Sequence, residues 1–505
     1  PVETVSEGFQ RPMGVAVGEA GAIFISDRKA GTVTRIAPDG SQAVILRGLR
    51  KPVGLAFDGE GRLLIVEKGR GRLLRREPSS GALAVLAAGI EHPRWVATAN
   101  GSLYLSARGL RRDPERPDED DDEEQPQGEM ILRLGPDGTL TVFADGFKGL
   151  EGLAVQGSVL YAVLERLRGD REREGTTLVR IPIAADGRAG ALEVLVRGDV
   201  RNPVGLALDG LGAAFFTAER RRGEGQGDEK GVLLKWRPDG RLVAFATGLK
   251  HPRGLAFEAA GHLLVAERRD DDGRLLRFRA PAPPVFDAFP PFTNQSPFPV
   301  SGSTEPGARV DLVVNEATHR TGLAGGAGVF SVPVPLEADA PNTIVGVATS
   351  VGGDGLTSAA STERLTHDGT PPDTQITGSP AGEINVATAT FTFTGTDNFT
   401  PTPKLLFAWS LDGGSYTAFS SATSATFTGL TEGSHTFRVK ARDQAGNEDP
   451  TPAERVFSVL LRPVITDLSP SSGPVGTLVT IVGKNFALAP AQNDVRFNGL
   501  PAVVR

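Results

Sequence analysis

Apolar residues along this chain come in short bursts of about five, and many alternate with polar neighbours. Ala389-Thr-Phe-Thr-Phe-Thr394 and Thr436-Phe-Arg-Val-Lys440 alternate strictly, the mark of half-buried strands. No stretch carries the long, capped apolar period of a helix. Gly, Pro and Asp stand between the bursts, and Val, Thr and Phe fill them. The pattern predicts an all-β protein.

Over the first 280 residues the bursts fall into a longer period. Arg11-Pro-Met-Gly-Val-Ala, Lys51-Pro-Val-Gly-Leu-Ala, His92-Pro-Arg-Trp-Val-Ala, Gly149-Leu-Glu-Gly-Leu-Ala, Asn202-Pro-Val-Gly-Leu-Ala and His251-Pro-Arg-Gly-Leu-Ala each open a unit. Units of about 40 to 55 residues are the size of propeller blades. In the second unit the pattern predicts strands over 53–57, 62–66, 72–76 and 82–87. Pro38-Asp39-Gly40, Pro136-Asp137-Gly138 and Pro238-Asp239-Gly240 are turns, with Pro pre-setting φ and Gly accepting a positive one. Four strands cannot bury both faces alone, so neighbouring units must stack around an axis. The sixth unit runs into Ala280-Pro-Ala-Pro-Pro284 without a fourth strand. Val2-Glu-Thr-Val-Ser-Glu-Gly-Phe9 matches Leu140-Thr-Val-Phe-Ala-Asp-Gly-Phe147, and is expected to supply it. The expected fold is a six-bladed β-propeller closed by the N-terminal strand, followed by a string of Ig-like β-sandwiches.

The repeat resembles the NHL family and related six-bladed propellers, the SMP-30/gluconolactonase group and the soluble quinoprotein sugar dehydrogenases. Gly261-His-Leu-Leu-Val-Ala-Glu-Arg268 is especially similar to the last group. This resemblance covers the domain at 1–284. Composition then shifts: Arg thins, Thr, Ser and Val rise, and Pro290-Pro291 and Pro371-Pro372 punctuate the chain. Residues 285–369 resemble a bacterial Ig-like sandwich through Val300-Ser-Gly-Ser-Thr-Glu-Pro-Gly and Gly328-Val-Phe-Ser-Val. Residues 370–461 resemble an Ig-like or fibronectin type III-like module through Trp409-Ser-Leu-Asp-Gly-Gly and Ala441-Arg-Asp-Gln-Ala-Gly-Asn447. Trp409 is expected in the core between its sheets. Residues 462–505 resemble the opening of an IPT/TIG domain through Pro463-Val-Ile-Thr-Asp-Leu-Ser-Pro-Ser-Ser-Gly-Pro. A sandwich of that kind takes roughly 80–100 residues, so the chain is expected to continue past Arg505.

The net charge of −7 argues against nucleic acid, which wants a basic stripe. No apolar run of about 20 residues is present to span a membrane. Cysteine is absent, excluding disulfides and thiolate metal sites. The long insertions, at 108–129, 166–176, 220–230 and 268–272, fall between second and third strands and so crown one face. The longest holds Asp118, Asp120, Asp121 and Asp122, where clustered carboxylates suggest Ca²⁺, the one candidate cofactor; a solvated acidic loop is the plainer reading. Second strands end on an acid then a base, as in Asp27-Arg28, Glu67-Lys68, Glu165-Arg166, Glu219-Arg220 and Glu267-Arg268. Those acids read as parts of the repeat itself.

The residue before the repeated Gly faces the channel mouth: Met13, Val53, Arg94, Glu151, Val204 and Arg253. Units three and six oppose each other in a ring of six, so Arg94 and Arg253 can clamp an anion. The competing reading pairs both with acids such as Glu91 or Glu151. His92 and His251 sit beside them and complete the candidate site. The lactonase resemblance implies a metal held by inner-strand carboxylates, and only Glu151 answers to it. The quinoprotein resemblance implies a channel base, for which His92 and His251 stand in position without the family's His-x-Gly-Gly. No catalytic residue is therefore named. The function expected is a non-enzymatic, secreted or cell-surface binding protein: a propeller head for protein or glycan on a sandwich stalk, or a subunit of an extracellular filament or other assembly. The alternative is a secreted or periplasmic enzyme related to SMP-30 lactonases or quinoprotein sugar dehydrogenases.

Overall fold

The computed structural model describes every residue except 1, 111–127, 171–175, 199, 222–230, 270–271 and 351–354. It divides into two compact units. One holds Pro1–Asp287, Pro299–Pro333 and Ile344–Thr362; the other holds Ala288–Phe298, Val334–Thr343 and Glu363–Arg505.

The first unit contains six antiparallel sheets in chain order. Their inner strands are Pro12–Val17, Pro52–Phe57, Val96–Ala99, Leu153–Gln156, Val200–Leu208 and Pro252–Phe257. Each inner strand runs through one copy of the repeated motif, and all but Val200–Leu208, which begins two residues before it, start inside the motif. The second blade is typical: Pro52–Phe57, Leu63–Glu67, Arg72–Arg76 and Leu83–Ala87 pair in sequence order. Its second strand is buried at every position, because both faces of a blade pack on neighbours. In the sixth sheet, Val2–Phe9 lies outermost and pairs antiparallel with Gly273–Phe278, from Val2 opposite Phe278 to Phe9 opposite Gly273. Glu3 adds ion pairs to Arg277 (2.8 Å) and Arg279 (2.7 Å).

The repeated glycine explains how the blades meet. A Cβ placed on Gly14 would lie 2.3 Å from the Val53 carbonyl oxygen of the next blade. On Gly54 it would meet the Arg94 oxygen at 2.6 Å, on Gly152 the Val204 oxygen at 2.8 Å, and on Gly205 the Arg253 oxygen at 2.4 Å. On Gly254 it would meet the Met13 oxygen at 2.3 Å, which brings the sixth blade against the first. Only a residue without a side chain tolerates such backbone approach. Buried hydroxyls reinforce two of these seams. Ser26 Oγ accepts from Gly14 N (2.8 Å) and donates to Val53 O (2.6 Å). Thr217 Oγ1 accepts from Gly205 N (2.9 Å) and donates to Arg253 O (2.7 Å).

The second unit contains a sandwich of two sheets. Asp373–Gly378, Thr388–Thr396 and Ser424–Thr428 form one. Glu383–Ile384, Ala453–Val459, Gly433–Arg442 and Leu406–Leu411 form the other. Alternation in Thr388–Thr396 sends Ala389, Phe391 and Phe393 inward. Phe391 stacks on Phe437 with centroids 4.1 Å apart, and Trp409 packs half-buried beside Phe393. Two hairpins follow, Val464–Ser469 with Thr480–Lys484 and Val495–Phe497 with Leu500–Ala502.

Replacing Gly205 by Ala should destabilise the protein by about 1–3 kcal/mol, the cost of overpacking a close backbone contact. Gly59→Ala, at a position with open space around it, should stay within about 0.5 kcal/mol. Urea denaturation of the two variants checks the difference; equal stabilities would remove the glycine seam as the joint between blades.

Candidate functional site

The six inner strands converge on one end of the channel, where the turns before them meet the ends of the second strands. Those lead-in turns are tightly made. Lys51, His92, Asn202 and His251 hold positive φ of 51°, 45°, 50° and 42°, each directly before a proline, and Gly149 holds 63°. The acid closing the second strand fixes the turn. Asp27 accepts the amides of Gln10 (2.6 Å), Arg11 (3.1 Å), Lys29 (3.0 Å) and Ala30 (2.9 Å). Glu67, fully buried, accepts Arg50 N at 2.7 Å and pairs with Arg70 and Arg72, both at 2.5 Å. Glu267 accepts Lys250 N at 2.7 Å and pairs with Arg269 and Arg274. Glu165 departs from the rule and is exposed.

With the acid committed to the backbone, the base after it is left to face the channel. Arg28, Lys68 and Arg268 line a cavity of about 140 Å³ together with Arg11, Arg94 and Arg253. Met13, Val53, Trp95 and Val204 supply its apolar wall, and Glu151 its one carboxylate among the described residues. An engineered cavity of about 150 Å³ admits benzene, so the space suits a small ligand or the end of a larger one.

The two arginines singled out from the sequence both line this cavity, and both have acidic partners. Arg94 pairs with Glu129 at 2.8 Å and Glu151 at 3.5 Å, and donates to the Leu150 carbonyl at 2.6 Å. Burial opposes its charge, but Glu151 and Glu129 outweigh that and hold its pKa above the ordinary value. Arg253 donates to Glu219 at 3.0 Å, while its buried Nε has no hydrogen-bond partner among the described residues. His92 and His251 do not line the cavity; they are the left-handed residues of their turns, and His251 Nδ1 stands 3.8 Å from Glu219. Asp118, Asp120, Asp121 and Asp122 lie outside the described residues.

Blade three replaces the repeated Gly by Trp95. Its indole reaches the position a Cβ on Gly254 would take, within 3.0 Å, and so crosses from blade three toward blade six. Its Nε1 donates to Glu151 Oε2 at 3.2 Å. Glu151 keeps 27% of its side-chain surface and lines this cavity. Burial raises its pKa, and Arg94 and Trp95 offset part of the rise. The bases show the opposite stress. Burial, then Arg94 and Arg28, hold Lys68 down to about 8, and burial, then Arg11 and Arg253, lower Arg28. Among the described residues neither side chain has an ion-pair partner. Four cavity-lining bases lie outside the site expected from sequence: Arg28, Lys68 and Arg268, whose signal is the acid–base dipeptide, and Arg11, which opens the first copy of the repeated motif.

Residues 463–505 match the IPT/TIG domain family. No curated protein matches the chain. Among solved structures, a gluconolactonase from Xanthomonas campestris is 19% identical; the match covers 55% of this chain and 88% of that one, with a TM-score of 0.44. A calcium-binding protein, regucalcin, from Agrobacterium tumefaciens is 16% identical, covering 55% and 92%, with a TM-score of 0.42. The PQQ-bound aldose sugar dehydrogenase from Streptomyces coelicolor is 18% identical, covering 55% and 97%, with a TM-score of 0.37. The chain is modular, with the six-sheet β-propeller described above and an IPT/TIG domain at 463–505, and no helix among the described residues is long and apolar enough to cross a membrane. Ca²⁺ does not fit the axis: it wants several oxygen ligands, and Glu151 stands there against six cationic side chains.

Glu67→Ala should cost about 1–3 kcal/mol, since it removes the charged acceptor of the Arg50 amide and of two partly exposed guanidiniums. Thermal or urea unfolding measures this, and a loss below about 0.5 kcal/mol would show that the acid does not hold the lead-in turn.

Proposed function

We propose that the propeller is a binding head for small organic anions, above all the acidic end-sugars of a surface glycan, carried on a secreted or cell-surface modular chain. The observation that carries this reading is the pair Arg28 and Lys68. They are crowded cations without ion-pair partners among the described residues, and their pKa values are depressed by burial and then by neighbouring guanidiniums, Arg11 and Arg253 for Arg28 and Arg94 and Arg28 for Lys68. An anion entering the cavity relieves that repulsion and forms charge-assisted hydrogen bonds. Trp95, Met13, Val53 and Val204 offer the apolar wall that a sugar ring needs beside its carboxylate. The sandwiches then serve as spacers or docking units, consistent with the NHL-like and Ig-like resemblances of the repeat and the stalk.

A second reading has one observation of its own. Glu151 is pushed up and Lys68 down within one cavity, and titratable groups driven apart in this way are candidates for acid–base work. On that reading the propeller hydrolyses an acidic or lactone sugar, the class to which the gluconolactonase among its structural neighbours belongs. Hydrolysis of glucono-δ-lactone that Glu151→Gln abolishes would favour catalysis over binding alone.

Binding is tested by calorimetry with glucuronate and glucose as probes. Glucuronate should bind and glucose should not; Lys68→Met and Arg28→Ala should each weaken glucuronate at least about tenfold, the loss of roughly one charge-assisted contact. Equal affinity of wild type and both variants would discard the reading. The anion favours the ammonium form of Lys68, which in the free protein is half-populated at its pKa of about 8. Affinity should therefore be full well below pH 8 and fall as pH rises through it, and the same titration on Lys68→Met should lose this step.

A further inference from the structure

A second charged cluster lies in the other unit, and its imbalance has the opposite sign. Asp368 follows the strand Ser361–His367, Asp397 follows Thr388–Thr396, and Asp443 follows Gly433–Arg442. One carboxylate oxygen from each lies within 4.8 Å of the other two. Asp368 and Asp443 are buried, with Asp368 at 0% exposure.

The hydrogen bonds in this cluster leave a gap. Asp443 is satisfied, accepting Asn447 N and Asn447 Nδ2, each at 2.7 Å. Asp397 Oδ2 accepts the amides of Phe399 (3.0 Å) and Thr400 (2.7 Å), but its Oδ1, although buried, has no partner among the described residues. Asp368 Oδ1 meets Thr370 N at a long 3.3 Å, and its buried Oδ2 has no partner among them either. Two of the three clustered aspartates therefore each keep a buried carboxylate oxygen without a partner among the described residues. An unpaired buried charge costs several kcal/mol, and something must offset it. The cost shows in Asp368, which burial, then Asp397 and Asp443, push up to about 6; Thr370 and Asn398 relieve it only in part.

A hard cation is the species that answers all of this at once. Calcium takes carboxylate oxygens at 2.3–2.6 Å, so two ligands across it stand about 4.6–5.2 Å apart, and the observed spread falls within that reach. Calcium also accepts irregular ligand sets and completes them with backbone oxygens and water, where magnesium demands a near-ideal octahedron. We propose that Asp368, Asp397 and Asp443 form a calcium site that ties the Gly369–Pro372 segment to two loops of the following sandwich. Asn447 already bridges there, donating to the Asp368 carbonyl at 2.8 Å and accepting from Asn294 at 3.1 Å. The cation adds a second anchor to that proline-bounded segment, which Gly369 N and Thr370 Oγ1 already fasten to Asp339. This site is separate from the propeller cavity and stands whatever ligand that cavity takes.

The test is equilibrium dialysis and calorimetry of the full chain with CaCl₂ after chelator treatment. Wild type should bind one more Ca²⁺ per chain than Asp368→Asn or Asp397→Asn, with half-saturation on the order of 0.1–1 mM, the range of extracellular modules. Asp397→Asn is the informative variant, because its amide oxygen still accepts the Phe399 and Thr400 amides and the loop keeps its shape. Counting the difference between chains removes any Ca²⁺ taken up at residues 118–122, which both share. Ca²⁺ should also raise the wild-type unfolding temperature and leave that of Asp397→Asn unchanged, while MgCl₂ at the same concentration does neither. Equal Ca²⁺ counts in wild type and both variants, or an equal response to Mg²⁺, would overturn the proposal.

Discussion

The propeller hangs on a distance too short for a methyl group. Where one blade's inner strand passes the next, the repeated glycine sits against a carbonyl oxygen, 2.3 Å from the place a Cβ would occupy at both Gly14 and Gly254. That approach lets a neighbouring strand supply the face that a four-stranded sheet cannot bury alone. It also decides where side chains go. A strand held this close at its glycine must send the residue before it toward the axis, so Met13, Val53, Arg94, Glu151, Val204 and Arg253 arrive at one place. The one blade that abandons glycine uses the freedom differently: Trp95 reaches across the ring and donates to Glu151.

At the second strands of blades one, two and six the acid–base dipeptide divides two tasks between adjacent residues. In a β-strand neighbouring side chains point to opposite faces. The acid turns back to the lead-in turn, where Asp27, Glu67 and Glu267 accept amides that the turn would otherwise strand. The base is then forced the other way. Repetition of a structural device thus accumulates cations at the axis as a by-product, and the ring pays for it in desolvation first and mutual repulsion second, legible in the depressed Lys68 and Arg28. Glu151 is too little counterweight, since Arg94 already claims it. The cavity therefore has an electrostatic vacancy built into the same repeat that builds the fold.

Much of this was legible from sequence, for a physical reason. Glycine against a carbonyl and proline after a left-handed residue are local demands, so they leave a fixed spacing in the chain, and the blades and the position of Arg94 and Arg253 follow from it. What spacing cannot carry is the partner. Arg94 meets Glu129 within its own blade's sheet and Glu151 from the next, and Arg253 meets Glu219 from the preceding one; these pairings depend on strand twist and turn geometry rather than on order. His92 and His251 looked like site residues because they neighbour those arginines, yet their positive φ of 45° and 42° commits them to the turn. The Asp368, Asp397 and Asp443 cluster was invisible because each aspartate sits in its own loop motif, and each motif alone reads as an ordinary turn.

The net charge of −7 conceals both sites. Solvated charges on a surface are screened within about 8–10 Å and cost little, so the sum over the chain is dominated by groups that do nothing. What matters is charge that folding has confined and failed to neutralise. The propeller axis confines cations around an apolar wall, and the loops after Ser361–His367, Thr388–Thr396 and Gly433–Arg442 confine anions with two oxygens left over. Local excess of each sign, held by backbone that cannot relax to relieve it, is what distinguishes a site from a decorated surface. On that criterion the axis calls for an anion and the aspartate cluster for a cation.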